Sequence, residues 1–304
     1  MAGVRGVRVA VLGGDRREAE AARCLADKGA LVRVWGHRVV AGAAGMGAGA
    51  GLTAAAGGPA VAASLEEAVS GVQLVVGPVR GTDGEGRLWA EGGPLELDGG
   101  AWAALDREVL FLIGSADPVL RARAEQAGVR LSEYRERDDF AIWNSVPTAE
   151  GAVFLALKEM DITLHGSRCL VLGLGRTGLT LARLLGAMGA QVVVVARRSQ
   201  QLALAEAMGC TACHLTSLGQ AAASADVIFN TIPAPVLHAG VLRNVPSTAL
   251  IIDLASAPGG TDFTFAAARG LRARLAPGLP GVKAPVTAGR ILARLVEQLW
   301  SELS

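Results

Sequence analysis

One run of six residues, Gly173-Leu174-Gly175-Arg176-Thr177-Gly178, constrains this chain more than any other feature. It follows the apolar segment 169–172 and opens an amphipathic stretch at 178–188. Strand, glycine turn and helix in that order place a G-x-G-x-x-G dinucleotide fingerprint in its proper context. Gly173 permits the tight turn, Gly175 leaves room for a pyrophosphate, and Gly178 lets the helix lie close to the strand. Arg176 and Thr177 complete the cofactor-binding set, because the amides that begin the helix face the phosphates.

The end of the next strand, 192–195, selects the cofactor. An NAD site carries an acid there, bound to the ribose hydroxyls. This chain has Ala196-Arg197-Arg198-Ser199 instead. Two guanidinium groups and a hydroxyl suit a 2′-phosphate dianion. NADP(H) is therefore the expected cofactor, with NAD(H) as the alternative. Two further loops at the carboxyl ends of strands should flank it. One is Asn230, Thr231, Ile232 and Pro233; the other follows Asp253 and contributes Ala255. Asp253 reads equally well as a helix cap or a turn residue.

Short β-branched runs alternate with longer amphipathic stretches along the whole chain, the pattern of an α/β fold with parallel sheets. Strands are predicted at 7–12, 31–35, 72–76, 109–113 and 129–131, with helices at 15–28, 64–69 and 117–127. The second half gives strands at 169–172, 192–195, 227–230 and 250–253, a short strand near 210–214, and helices at 178–188 and 201–208. A helix at 147–160 carries Pro147 in its first turn, where proline is tolerated, and bridges the halves. The tail, 286–299, places Ile291, Leu292, Leu295, Val296 and Leu299 on one face and should return to the first domain. The expected architecture is two doubly wound Rossmann-type domains with a cleft between them, bridged by long helices. Residues 1–145 with 286–304 form a flavodoxin- or Rossmann-like substrate or partner domain, and 146–285 form the dinucleotide-binding domain.

Composition excludes several other classes. The 29 basic and 28 acidic side chains leave a net charge of +1, which gives no electrostatic ground for a nucleic-acid partner. With 51% apolar residues the chain is not disordered, and four cysteines do not make a disulfide scaffold. Residues 39–65 lack charge, but seven glycines and Pro59 read as a glycine- and alanine-rich surface connection rather than a membrane span. The first apolar run is too short for a signal-peptide core, so a cytoplasmic protein is expected. Cys210-Thr211-Ala212-Cys213-His214 matches the c-type haem pattern. Strand alternation would place Cys210 and Cys213 on opposite faces, so neither haem nor metal is expected. His165 reads as a turn residue.

The most polar part of the chain, residues 133–151, falls at the expected domain junction. With it the chain resembles a known family, the A subunit of dipicolinate synthase from spore-forming bacteria. The resemblance rests on Gly13-Gly14-Asp15 with Arg16 and Arg17, on Glu136-Arg137-Asp138-Asp139, and on Asn144-Ser145-x-Pro147-Thr148-x-Glu150-Gly151. It continues through His165-Gly166-Ser167, the fingerprint, Asn230-Thr231-Ile232-Pro233 and Asp253-Leu254-Ala255-Ser256-x-Pro258-Gly259-Gly260-Thr261-Asp262, and ends on Ala276-Pro277-Gly278-Leu279-Pro280-Gly281 and Ala284-Pro285. Residues 39–63 depart from the family in composition.

The resemblance implies an oxidoreductase that forms pyridine-2,6-dicarboxylate from dihydro- or hydroxytetrahydro-dipicolinate, passing a hydride to NADP+. It also implies a flavoprotein-like B subunit of the synthase as partner, in the mother cell of a sporulating bacterium; a homo-oligomer is the other assembly considered. A dicarboxylate beside a nicotinamide needs positioning above all. Arg16 is a candidate clamp. Asn144, Ser145 and Thr148 are others, near the expected start of the bridging helix and its amides. Should water also leave, Asp138, Asp139 or Glu150 could serve as acid or base. Two alternatives stay open. One is a two-domain NADP enzyme like methylenetetrahydrofolate dehydrogenase, which the loop 276–282 resembles, although Lys28 is the only lysine of the first half. The other is a non-catalytic nucleotide-binding subunit of the synthase complex.

Overall fold

The structure, a computed structural model, describes residues 3–37 and 58–303. Its first strands and helices are β1 (Arg8–Leu12), α1 (Arg16–Asp27), β2 (Leu31–Trp35), β3 (Ala60–Val61), α2 (Leu65–Val69) and β4 (Leu74–Val76). They continue with α3 (Gly99–Ala104), β5 (Leu110–Ile113), α4 (Pro118–Ala127), β6 (Arg130–Glu133) and α5 (Asp138–Glu159). The second half holds β7 (Arg168–Leu172), α6 (Arg176–Ala187), β8 (Gln191–Ala196), α7 (Ser199–Ala207), β9 (Thr211–His214), α8 (Leu218–Ala222) and β10 (Val227–Asn230). Then come α9 (Ala239–Leu242), β11 (Leu250–Asp253), α10 (Phe263–Ala268), β12 (Arg272–Leu275), α11 (Leu279–Lys283) and α12 (Pro285–Leu303).

The chain divides into two compact units: Met1–Phe140 with Ala284–Ser304, and Ala141–Lys283. Each holds a six-stranded parallel sheet. The orders are β3-β2-β1-β4-β5-β6 and β12-β11-β10-β7-β8-β9, both with the strand order of a Rossmann fold. The order reverses between β1 and β4 in the first unit and between β7 and β10 in the second.

Parallel strands are covered on both faces, so they read as unbroken apolar runs. In the second unit Cys169, Val171, Val194, Phe229 and Ile252 face Ala149, Ala152 and Ala156 of α5 and Leu181 and Leu185 of α6. Leu170, Leu172, Val193, Ile228 and Ile251 pack on the other face against Leu218, Leu242 and Ala266. In the first unit Leu12, Val75, Phe111 and Ile113 meet Leu97, Ala101, Leu120 and Ala124. Helix α12 lies against α1 and buries Leu292, Leu295, Val296 and Leu299. Each such side chain contributes about 1.5–3 kcal/mol.

Besides adding the short helices α3, α8, α9, α10 and α11, the fold departs from the sequence expectation at the bridging helix and at the sheet edges. The bridging helix begins at Asp138, nine residues earlier than its expected start at 147, and Pro147 lies inside it. A proline there removes the bond to the carbonyl of residue 143 and crowds that carbonyl, a local cost that the 22-residue helix bears, and Asp138 and Asp139 favour the first turn. The expected surface connection at 39–65 lies largely outside the described residues, and its described end includes the edge strand β3, with Ala60 opposite Arg33. Strand β12 is a further edge strand, whose sequence Arg-Ala-Arg-Leu hides it; Arg274 pairs with Glu159 at 2.7 Å. Among the described helices α5 is long and apolar enough to cross a membrane, and half of its apolar window is buried within the protein.

The turn after β1 is filled by the chain's own charges. Asp15 caps α1 and takes two 2.9 Å bonds from the Arg17 guanidinium. Glu18 is fully buried and accepts from Asp15 N at 2.7 Å and from Val79 N at 2.8 Å. It thereby ties together the two loops at this sheet's reversal point. Burial pushes the Glu18 carboxyl up to about 7, against the pull of Arg17. The folded state therefore holds a proton that the unfolded chain releases near pH 4.5. The stabilising contribution is full below that pH and lost as pH rises through about 7. Urea unfolding at pH 5 and pH 8 should show a fall in wild-type stability that Glu18→Gln reduces; equal falls in both proteins would contradict this account.

Candidate functional site

The turn joining β7 to α6 is built for close approach. Gly173 has φ +88°, a conformation that L side chains rarely adopt, and its N–H bonds Val195 O at 2.8 Å. A Cβ on Gly178 would stand 2.0 Å from Gly173 O, whereas one on Gly175 would meet no atom within 4 Å. The void thus lies beside Gly175, where a pyrophosphate is expected. Gly175 is also the N-cap of α6 and offers no side-chain hydrogen bond to the helix amides. Helices α1 and α4 are capped by the carboxylates of Asp15 and Asp117. Uncapped amides beside an open space form an anion site, so these residues fit a dinucleotide diphosphate. Thr177 is half-buried in the first turn and Arg176 is exposed.

At the end of β8, Arg197, Arg198 and Ser199 are all exposed. Arg198 is the N-cap of α7 and makes no capping bond. No acid follows β8 before Glu206.

The loops after β10 and β11 are locked together by a buried network. Asn230 and Asp253 are both fully buried. Asn230 Nδ2 donates to Asp253 Oδ1 at 3.0 Å and to Ile232 O at 3.1 Å, while its Oδ1 accepts from Ile232 N at 3.0 Å. Asp253 also accepts from Ala255 N at 3.1 Å, Gly260 N at 2.8 Å and Thr261 Oγ1 at 2.6 Å. Thr231 Oγ1 donates to Leu172 O at 2.8 Å, tying this loop to the glycine turn. Asn230 and Asp253 therefore hold the shape of the loops that follow β10 and β11, including the backbone at Ile232 and Ala255.

The candidates on α5 need correction. Asn144, Ser145 and Thr148 lie within the helix rather than at its start, so no free helix-end amides assist them. The Ser145 hydroxyl is buried, donates to Ile142 O at 2.6 Å and meets Thr180 Oγ1 at 2.6 Å. It clips α5 to α6. Thr148 Oγ1 donates to Asn144 O at 2.7 Å. Asn144 alone keeps a buried atom, Oδ1, without a partner among the described residues.

Asp139 takes two bonds from Arg137, at 3.1 and 2.8 Å, and one from Gln298 at 3.0 Å. The Arg137 hydrogen bond holds its carboxyl down to about 2. Asp138 opens the helix, and Glu150 is exposed midway along it. Arg16, at the first position of α1, is exposed, whereas its neighbour Arg17 is buried in the Asp15 pair. Cys210 packs on one face of the second sheet and Cys213 on the other. Among the described residues no group of three His, Cys, Asp or Glu is placed to hold a metal. The His165 ring sits over Gly189.

A Rossmann unit with an open, uncapped glycine turn, joined to a second parallel α/β unit, defines a nicotinamide-nucleotide-dependent oxidoreductase. Known proteins agree. Residues 148–258 match the D-isomer specific 2-hydroxyacid dehydrogenase, NAD binding domain, and residues 8–135 match the N-terminal domain of the dipicolinate synthase A subunit. The chain is 39% identical to the dipicolinate synthase A subunit of Bacillus subtilis (strain 168), over 98% of its own length and 97% of that protein. The crystal structure of the same subunit from Bacillus halodurans superposes with a TM-score of 0.86 at 36% identity, covering 100% of this chain and 99% of that one. The crystal structure of the Bacillus subtilis protein gives 0.84 at 37% identity, with 99% and 98% covered. The chain belongs to the family of dipicolinate synthase A subunits.

The two glycines of the turn should separate in a thermal-unfolding experiment. Gly178→Ala forces backbone apart and is expected to cost about 1–3 kcal/mol. Gly175→Ala, with open space around it, should stay within about 1 kcal/mol of wild type.

Proposed function

We propose that this chain oxidises a dihydropyridine-2,6-dicarboxylate to the aromatic pyridine-2,6-dicarboxylate with NADP+, working in complex with the flavoprotein-like B subunit of the synthase in the cytoplasm of the mother cell. The reaction balances: the substrate loses one hydride and one proton, and the products are dipicolinate, NADPH and H+. If the hydroxytetrahydro precursor is the substrate, one water leaves as well. Bound NADP+ supplies the hydride acceptor and aromatisation the driving force. Residues 146–285, nearly all of the second unit, serve as the dinucleotide domain, and residues 1–145 with 286–304 as the substrate or partner domain.

The chain's own residues bind and orient. The amides after Gly175, with Arg176 and Thr177, hold the diphosphate. The loops at Thr231 to Pro233 and Ala255, kept in shape by Asn230 and Asp253, line the nicotinamide ribose. Arg197, Arg198 and Ser199 hold the 2′-phosphate. The observation that carries this cofactor assignment is two exposed guanidiniums at the end of β8, where an NAD site has an acid.

For the substrate, the Arg16 guanidinium pairs with a carboxylate, and the unpartnered Asn144 Oδ1 accepts a hydrogen bond. Ser145 and Thr148 act by fixing the helix that carries Asn144. Asp139, held ionised by Arg137, is a poor proton donor. Asp138 and Glu150 remain as the acid–base pair to test.

Titration calorimetry with both nucleotides tests the cofactor. Arg197→Ala or Arg198→Ala should weaken NADP+ about ten- to a hundredfold, the scale of a charge-assisted hydrogen bond. NAD+ binding should change little. Equal affinity of the wild type for NAD+ and NADP+ contradicts the assignment. For the reaction, the chain is mixed with the condensation product of aspartate semialdehyde and pyruvate and with NADP+, with and without the flavoprotein-like partner. Dipicolinate absorbance and NADPH should rise together; neither signal from a protein that binds NADP+ would sink the synthase reading.

A further inference from the structure

The carbonyls of the β7–α6 turn find different donors, as backbone oxygens so placed require; Gly173 O lies 3.5 Å from Thr231 Oγ1. Leu172 O accepts from Thr231 N at 3.0 Å and from Thr231 Oγ1 at 2.8 Å. Gly175 O accepts from Leu179 N at 2.8 Å within α6. Leu174 O has a different partner: the side-chain amide of Gln201, whose Nε2 donates to it at 3.1 Å. Gln201 comes from the first turn of α7, and its own N–H bonds Arg198 O at 2.9 Å.

A trans peptide unit is planar, with its C=O and N–H pointing in opposite directions. Holding Leu174 O toward Gln201 therefore turns the Gly175 N–H to the other side. That N–H donates to no group among the described residues, and the space around Gly175 is open. The same side chain ties the glycine turn to the segment carrying Arg197 and Arg198. One hydrogen bond thus links the two places at which phosphate groups are expected.

We propose that Gln201 is a positioning residue for the nicotinamide nucleotide: its amide fixes the Leu174 carbonyl so that the Gly175 N–H faces the diphosphate. This rests on the glycine turn being the nucleotide site. The side chain touches no reacting atom and acts through the peptide it holds.

The test measures NADP+ affinity of the full chain by calorimetry, from pH 7.5 down to pH 5, for wild type, Gln201→Ala and Gln201→Glu. At pH 7.5 both variants should bind about tenfold more weakly, the scale of one lost hydrogen bond. A carboxylate cannot donate to a carbonyl, but a protonated carboxyl can. Gln201→Glu should therefore recover toward wild type as pH falls, while Gln201→Ala should not. This difference separates orientation of the peptide from mere support of the fold, and it cancels the titration of the 2′-phosphate, common to both variants. Wild-type affinity in Gln201→Ala, or a Gln201→Glu profile that tracks Gln201→Ala at every pH, overturns the proposal. A wild type that binds no NADP+ fails differently: it removes the cofactor reading and the proposal together.

Discussion

The amides at the start of α6 have no intrahelical acceptor, and the N-cap Gly175 has no side chain to offer them one. Several features of the second unit keep that place open and hold its turn in shape. Gly173 makes the turn, Gly178 lets the helix come close, and Thr231 and Gln201 satisfy the carbonyls on the far side. The Asn230–Asp253 network then fixes the neighbouring loops through buried bonds. Breaking one such partner leaves an uncompensated polar group in the interior, which costs more than the bond contributed. The site is therefore rigid where it is dry and bare where a ligand would sit.

The first unit has the same strand order and treats the equivalent place in the opposite way. After β1 the helix amides and the loop beyond β4 are taken by Asp15 and Glu18, with Arg17 balancing the charge. Two sheets of one topology thus carry different chemistry at their reversal points, because a few residues after the central strand differ. Fold alone does not decide function; the side chains grafted on it do.

Much of this was legible beforehand. The central strands of both sheets are apolar runs, and β2, apolar but for Arg33, was placed at 31–35 to the residue. The glycine spacing identified the turn, and Arg197-Arg198 is visible without coordinates. Residues 138–146 hid their helix because Pro147 reads as a first-turn residue when no structure shows what precedes it. Edge strand β12 has no apolar run, since its arginines face outward. Sequence spacing could not show that the Ser145 hydroxyl is used by Ile142 and Thr180, or that Glu18 is buried. Gln201 gave no signal at all: a glutamine in a helix is ordinary until its partner is known.

The first unit is assembled from two segments that flank the second, which is inserted before α12. Its sheet cannot gain the helix that covers α1 until the nineteen residues of that helix, Pro285–Leu303, have been made. On a ribosome the nucleotide-binding half is complete first, although it is encoded second. The unit whose strands are translated earlier thus gains its last helix later, with the α1 surface waiting uncovered in the interval.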